Sequence, residues 1–210
     1  IEAKMKKSLF LSFIIIATSL ISQNSMAEVR PYIGIGYNSF VITSSDMSAT
    51  STTTGATTTS SENSTDGGTS IGLNGGVAID DSTRVNFAYF SGKESNTSIL
   101  KATVTALSYD YCFNNSGVQK GWFLGAGVSS VKTEIEDNSL TTSSSKSSSS
   151  LALRGGYQYL IDNNLFFEVG YNAHLAKQKH EYDYKNYSNI EGSTNFSVSN
   201  LNLSLSYMFQ

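Results

Sequence analysis

Proline occurs once in 210 residues, at Pro31, and cysteine once, at Cys112. A single cysteine excludes an intrachain disulfide, so a domain of this length must be held together by other means. With one proline, almost nothing interrupts a sheet ladder. Charged residues make up only 15% of the chain, and the net charge of −3 gives no electrostatic basis for nucleic-acid binding. No apolar run reaches the roughly 18–20 residues that a membrane-spanning helix needs. Helical periodicity is also missing, while Ser, Thr, Asn, Gly and Tyr are abundant. A strand-rich chain is what remains.

The start of the chain has a separate logic. Met5-Lys6-Lys7 forms a short basic head, an apolar run follows from Leu9 to Ile21, and Ser25-Met26-Ala27 places small residues where a signal peptidase reads. This pattern predicts a secretory signal peptide over residues 1–27, cut between Ala27 and Glu28, with residues 1–4 preceding a start at Met5. Residues 28–210 then form one domain.

Within that domain the period is two. Eight segments alternate. Ile33, Ile35, Tyr37 and Val41 oppose Gly34, Gly36 and Asn38; Ile71, Leu73, Val77 and Ile79 oppose Ser70, Gly72, Asn74 and Gly76. Val85, Phe87 and Tyr89 oppose Arg84 and Asn86, and Leu107, Tyr109, Tyr111 and Phe113 oppose Ser108, Asp110 and Cys112. The start of that fourth segment, ATVTA, is ambiguous in phase. Trp122, Leu124 and Val128 oppose Phe123, Gly125 and Gly127; Leu151, Leu153, Tyr157 and Tyr159 oppose Arg154, Gly156 and Gln158. Leu165, Phe167, Val169, Tyr171 and Leu175 oppose Phe166, Glu168, Asn172 and His174. The last segment sets Leu201, Leu203, Leu205, Tyr207 and Phe209 against Asn202, Ser204 and Ser206. Short linkers (80–83, 114–120, 161–164) alternate with connections read as long (44–69, 91–98, 132–149, 177–195), as in an up-and-down meander.

Such alternation suits a soluble barrel with its greasy face inward or a membrane barrel with it outward. Bulk decides. An eight-stranded barrel has room inside for little more than small side chains. The apolar faces carry Tyr, Phe, Leu, Ile and Trp, whereas the opposite faces are largely Gly, Ala, Ser and Asn. Charge agrees: the apolar faces carry none, and the polar faces carry mainly Arg84, Asp110, Arg154 and Glu168, which sum to zero, as paired groups in an enclosed lumen would. Strands of about 10 residues, tilted about 40°, rise roughly 25 Å, the height of an outer-membrane barrel's apolar band. Aromatic residues near the tight turns, among them Tyr111, Trp122, Tyr159 and Phe209, suit an interfacial girdle. The expectation is an all-β, eight-stranded antiparallel transmembrane barrel with a polar, plugged interior and long extracellular loops. Closure requires the last strand to pair with the first.

The signal peptide, YIGIGY in the first strand, FLGAGV in the fifth and LSLSYMF at the end resemble the small outer-membrane β-barrel family of Gram-negative bacteria, of the OmpX/OmpA-barrel and opacity-protein type. The resemblance implies export through the periplasm to the cell outer membrane, with periplasmic chaperones and the barrel-insertion machinery as transient partners. It also implies contact with outer-membrane lipid and lipopolysaccharide, and possible host surface molecules as further partners. In that family an alternating last strand ending in Phe is the assembly signal; Leu201, Leu203, Leu205, Tyr207 and Phe209 match it, and Gln210 after the Phe departs from it.

No cofactor, metal spacing or catalytic set is expected. His174 stands in NAHLAKQ, without the His-x-Ser arrangement of barrel lipid A deacylases. The Ser/Thr-rich stretches before the second and sixth segments read as solvated brush. HEYDYKNY, with His180, Tyr182, Tyr184, Lys185 and Tyr187, reads as a loop suited to protein or glycan contact. The expected function is a monomeric, non-enzymatic surface protein contributing to envelope integrity or adhesion; a narrow pore or a lipid A-modifying enzyme are the alternatives.

Overall fold

The computed structural model describes residues 29–51, 54–60, 64–95, 100–113, 120–135, 144–184 and 187–209. The leader reading, with Ala27 and Glu28, lies outside them. The strands are β1 (Arg30–Ser51), β2 (Thr57–Ser60), β3 (Ser64–Ala78), β4 (Thr83–Lys93), β5 (Leu100–Cys112), β6 (Gly121–Ile135), β7 (Ser144–Leu160), β8 (Leu165–Tyr184) and β9 (Tyr187–Met208). β1 and β3 to β9 form an antiparallel meander in sequence order, and β9 pairs back onto β1 from Tyr32↔Met208 upward. This is a closed eight-stranded barrel. β2 is a short addition that hairpins onto the upper end of β1, with Met47↔Ser60 as the lowest pair.

The phase of each strand follows the sequence pattern. Ile71 is 78% exposed and Trp122 65%, and similarly bared Ile, Leu, Tyr and Phe side chains ring the wall. An apolar surface of this extent is compatible with hydrocarbon and not with water. Edge-to-face aromatic pairs, Tyr111–Phe113, Trp122–Tyr157 and Tyr207–Phe209, sit at the tight-turn end. Asp80 shapes one of those turns, its Oδ1 accepting from the backbone N–H of Ser82 and Thr83 at 2.7 and 2.8 Å. Replacing Leu205, outward at the middle of the apolar stretch Leu201–Phe209, by Arg is expected to destabilise the barrel by about 2–4 kcal/mol, measured by urea unfolding in lipid vesicles.

Above the apolar band the polarity inverts. The outward face turns to Ser, Thr and Lys, while the inward face becomes Phe40, Ile42, Phe90, Ala102, Val104, Val131, Ile135, Phe196 and Val198, a buried apolar cluster. Beyond the bilayer, then, the barrel is built like a soluble one. This corrects the expectation of a polar interior throughout: water surrounds the upper strands, so apolar groups there gain by turning inward.

The inversion also corrects the loop boundaries. Much of 44–69 and 177–195, and the ends of 132–149, belong to strands; β8 and β9 run as a paired hairpin up to Tyr184↔Tyr187. The Thr-rich segment pairs as β2, since β-branched Thr suits a pleated, half-exposed surface. Ile79, read as lipid-facing, is buried just after β3 ends.

Candidate functional site

The lumen holds the features with chemistry. In period-two strands all four charged side chains point inward, and the register places them at one level: Arg84 pairs with Asp110 across β4–β5, and Gln158 with Glu168 across β7–β8. Arg84 donates from Nε to Asp110 Oδ2 at 2.8 Å and through its terminal nitrogens to Gln158 and Glu168. Arg154 donates to the other oxygen of Glu168 and lies 3.3 Å from Asp110 Oδ2. Ser108 donates to Asp110 Oδ1 at 3.0 Å. Both guanidinium groups stand over the Phe123 ring, 4.7 and 4.9 Å from its centroid. Two cations, two anions and an aromatic face thus compensate one another where unpaired charge would be very costly.

Gly125 on β6 makes room for this. A Cβ there would run into the Asp110 carboxylate and crowd Arg154 Cγ at 3.0 Å.

Below the network, Tyr32, Ala78, Cys112, Phe123, Phe166 and Met208 form a second apolar cluster. Above it, Asn38 Oδ1 accepts from Asn200 and Asn202 at 2.9 and 3.0 Å, and Asn74 donates to Ser206 at 2.8 Å. A cavity of about 30 Å³ lies among Asn38, Asn74, Asn86, Arg154, Glu168 and His174. It is no larger than a water molecule or two. His174 is buried on this inner wall, 3.3 Å from Asn200 Oδ1, and does not face lipid.

His180 departs from its expected place in a loop. It lies on β8, buried, above the apolar band; its Nε2 is 2.6 Å from Thr133 Oγ1, and its ring meets Phe196 edge-on. Gln178, two residues earlier, donates to Ser148 Oγ on the neighbouring β7 at 3.0 Å. The physical reason is again the inversion: an imidazole over Phe196 belongs to the inner face of a strand that continues beyond the membrane. Tyr182 and Tyr184 close β8 and Tyr187 opens β9, whereas Lys185 lies outside the described residues.

Burial, and secondarily the Lys146 ammonium, hold the His180 imidazole down at about 4, against an ordinary 6.5. The unfolded chain therefore binds the proton first. The stabilisation is complete above about pH 6.5 and is lost as pH falls through the interval toward 4. Amide-exchange protection around the His180↔Thr194 pair, corrected for intrinsic rates, is expected to fall over that interval and to stay flat in a His180→Phe variant.

Leu201, Leu203, Leu205, Tyr207 and Phe209 all lie on the outer face of the closing strand. The Phe209 N–H donates to Pro31 O at 2.8 Å, so hydrogen bonding to β1 continues past the end of β9.

A closed barrel with a lipid-compatible outer wall and a lumen sealed by paired charge defines a small β-barrel protein of the outer membrane. The sequence agrees: residues 11–209 match the family described as "Outer membrane protein beta-barrel domain", and the chain belongs to it. No curated protein matches the chain in sequence. Among solved structures, the chain is similar to the outer membrane protein OprG from Pseudomonas aeruginosa, with 15% identity, a TM-score of 0.70, and 88% of this chain and 97% of that one covered. It is more distantly similar to Neisserial surface protein A, with 16% identity, a TM-score of 0.48, and 82% and 97% covered. Ail, the attachment invasion locus protein of Yersinia pestis, gives 13% identity, a TM-score of 0.43, and 87% and 99% covered. All three are small outer-membrane barrels of eight strands.

Proposed function

We propose that the chain is a non-enzymatic, monomeric surface protein whose barrel is a sealed anchor. Its working part is the strand extension above the bilayer, which contacts host or partner molecules and contributes to envelope integrity. The observation that carries this reading is the double seal. The Arg84–Asp110–Arg154–Glu168 network with Phe123 closes one level of the lumen, and the Phe40–Phe90–Phe196 cluster closes another. A barrel used for transport would need a path between those levels, and a cavity of about 30 Å³ is not one.

The strand lengths support the outer part of the reading. β1 and β9 each run 22 residues and β8 runs 20, about twice what crosses a bilayer at the usual tilt. The β8–β9 tip, with Tyr182, Tyr184, Lys185 and Tyr187, is the contact segment this reading favours. His180, buried below it, drops out as a ligand group.

Purified protein in planar bilayers is expected to show no unitary conductance steps, and a reproducible channel would overturn the sealed-anchor reading. Replacing Tyr182, Tyr184 and Tyr187 together by Ser is expected to reduce binding of expressing cells to host-cell monolayers by several-fold, with barrel assembly unchanged. An unaltered lipid A mass spectrum on expression would separate this role from lipid A modification.

A further inference from the structure

Above the apolar band the joints of the barrel wall are not equal. The β5–β6 ladder continues up to Leu100↔Ile135, the β6–β7 ladder to Ile135↔Ser144 and the β1–β9 ladder to Ser51↔Ile190. The β3–β4 ladder stops at Gly72↔Phe90, and a bridge at Gly68↔Glu94 takes it up again. Between β7 and β8 the ladder ends at Ala152↔His174, and among the described residues no pair follows. Yet β7 runs on to Ser144 and β8 to Tyr184. Residues 144–151 are therefore laddered on their β6 side alone.

The sequence accounts for this. Residues 144–150 are six Ser and one Lys, without the β-branched and aromatic side chains that favour a ladder. On β8 the chain is too long for its partner: between His174↔Val198 and Gln178↔Phe196, residues 175–177 stand against Ser197 alone. A bulge of this kind bends its strand out of register with the neighbour. Burial does not compensate. Val131, Phe196 and Val198 belong to the upper apolar cluster, to which β7 adds no side chain.

What holds the joint is polar. From β8, the Gln178 amide donates to Ser148 Oγ at 3.0 Å and passes on to Val131 O of β6 at 2.5 Å. The buried Thr133 hydroxyl, also on β6, donates to Gln178 Oε1 and lies 2.6 Å from His180 Nε2. Two side chains of β8 thus reach behind β7 and fasten to the strand beyond it.

We propose that the β7–β8 joint is a latched seam. Above Ala152↔His174 the wall parts and recloses while the barrel stays folded, and Gln178 and His180, both fastened to Thr133, are the latch. Parting breaks side-chain hydrogen bonds only, each of modest net worth, and leaves every ladder intact. The seam opens to water and not to hydrocarbon, because Leu151 and Leu175 are the last outward apolar residues on β7 and β8, with Ser149 and Lys179 exposed above them. It bares the Val131 side of the upper cluster. Phe40 and Phe90, on β1 and β4, keep their stack, and the charged network below stays shut, so a parted seam gives no path through the lumen.

The inference rests on the ladder pattern and stands apart from the surface role proposed above. The test is thiol labelling of the full chain, folded in lipid vesicles, by a small water-soluble maleimide. V131C reports the seam, V104C reports the same cluster on fully laddered β5, and native Cys112, buried in the lower cluster, is the internal reference. When reclosing outpaces the reaction, the labelling rate follows the parted population. V131C is expected to react at least about 10-fold faster than V104C. Adding T133V, which removes the latch hydroxyl at constant shape, should raise the V131C rate about 10-fold further, the worth of two hydrogen bonds, and leave V104C and Cys112 unchanged. Heat-modifiable gel mobility reports folding; if T133V fails to fold, Q178N, too short to span the joint, is read in the same way. Equal rates at V131C and V104C overturn the seam. A V131C rate that the latch variants leave unchanged overturns the latch, and a rise shared by all three thiols shows global unfolding in place of a parting wall.

Discussion

Replacing Glu168 by Gln is expected to destabilise the barrel by about 3–5 kcal/mol, seen as a lower urea midpoint for unfolding from lipid vesicles. Glu168 is the hinge of the lumen network, since one of its oxygens receives Arg84 and the other Arg154. Without its charge, two buried guanidinium groups face Asp110 alone, and one positive charge is left uncompensated away from water. The amide can still accept hydrogen bonds, so the loss isolates charge balance from shape. A companion substitution sharpens the argument. R154M/E168Q removes one charge of each sign and leaves Arg84 with Asp110 as a neutral pair. It is therefore expected to be less destabilised than E168Q alone, a non-additivity that a double-mutant cycle measures directly. Should E168Q unfold at the wild-type midpoint, the network contributes no stability and its sealing role would rest on volume only.

The arrangement of that network shows what a sequence of this kind can disclose. Alternation assigns every side chain to a face, so the inward direction of Arg84, Asp110, Arg154 and Glu168 was legible. Their meeting at one level was not, because level depends on inter-strand stagger, which turn composition alone does not fix. Gln158 illustrates the gap. It was readable as lumen filling, but its bond to Arg84 depends on β7 and β4 facing each other across the barrel.

The upper half was misread for a different reason. Reading apolar as outward holds only within hydrocarbon. In β5, Ala102 and Val104 lie on the same inner face as Ser108 and Asp110, so ATVTA has no phase break at all. What changes along the strand is the solvent outside. The same reading would have recovered β9, where Phe196 and Val198 continue in phase with Asn200 and Asn202, and the end of β6, where Val131 and Ile135 do so with Ser129. A period-two pattern whose apolar face switches sides without losing register marks the point where a barrel leaves the membrane.

Phe123 to Ala is the complementary experiment, because it removes volume and leaves charge untouched. The ring is buried, stands beside both guanidinium groups, and belongs to the lower apolar cluster with Tyr32, Cys112 and Phe166. Gly156 and Gly170 face it closely; a Cβ at those positions would come within 2.9 and 3.3 Å of the ring edge. With neighbours this rigid, the space cannot close after truncation, and the expected loss is about 3–5 kcal/mol. The conductance outcome is separate. With Phe123 gone the lower seal is breached, yet Phe40 and Phe90, stacked at 5.9 Å, still fill the upper level. F123A alone is therefore expected to remain non-conducting in planar bilayers, and F123A/F40A to pass ions, because seals in series must both fail before a path exists. A channel opened by F123A alone would show that the upper apolar cluster does not close the lumen, and that the barrel is held shut at one level only.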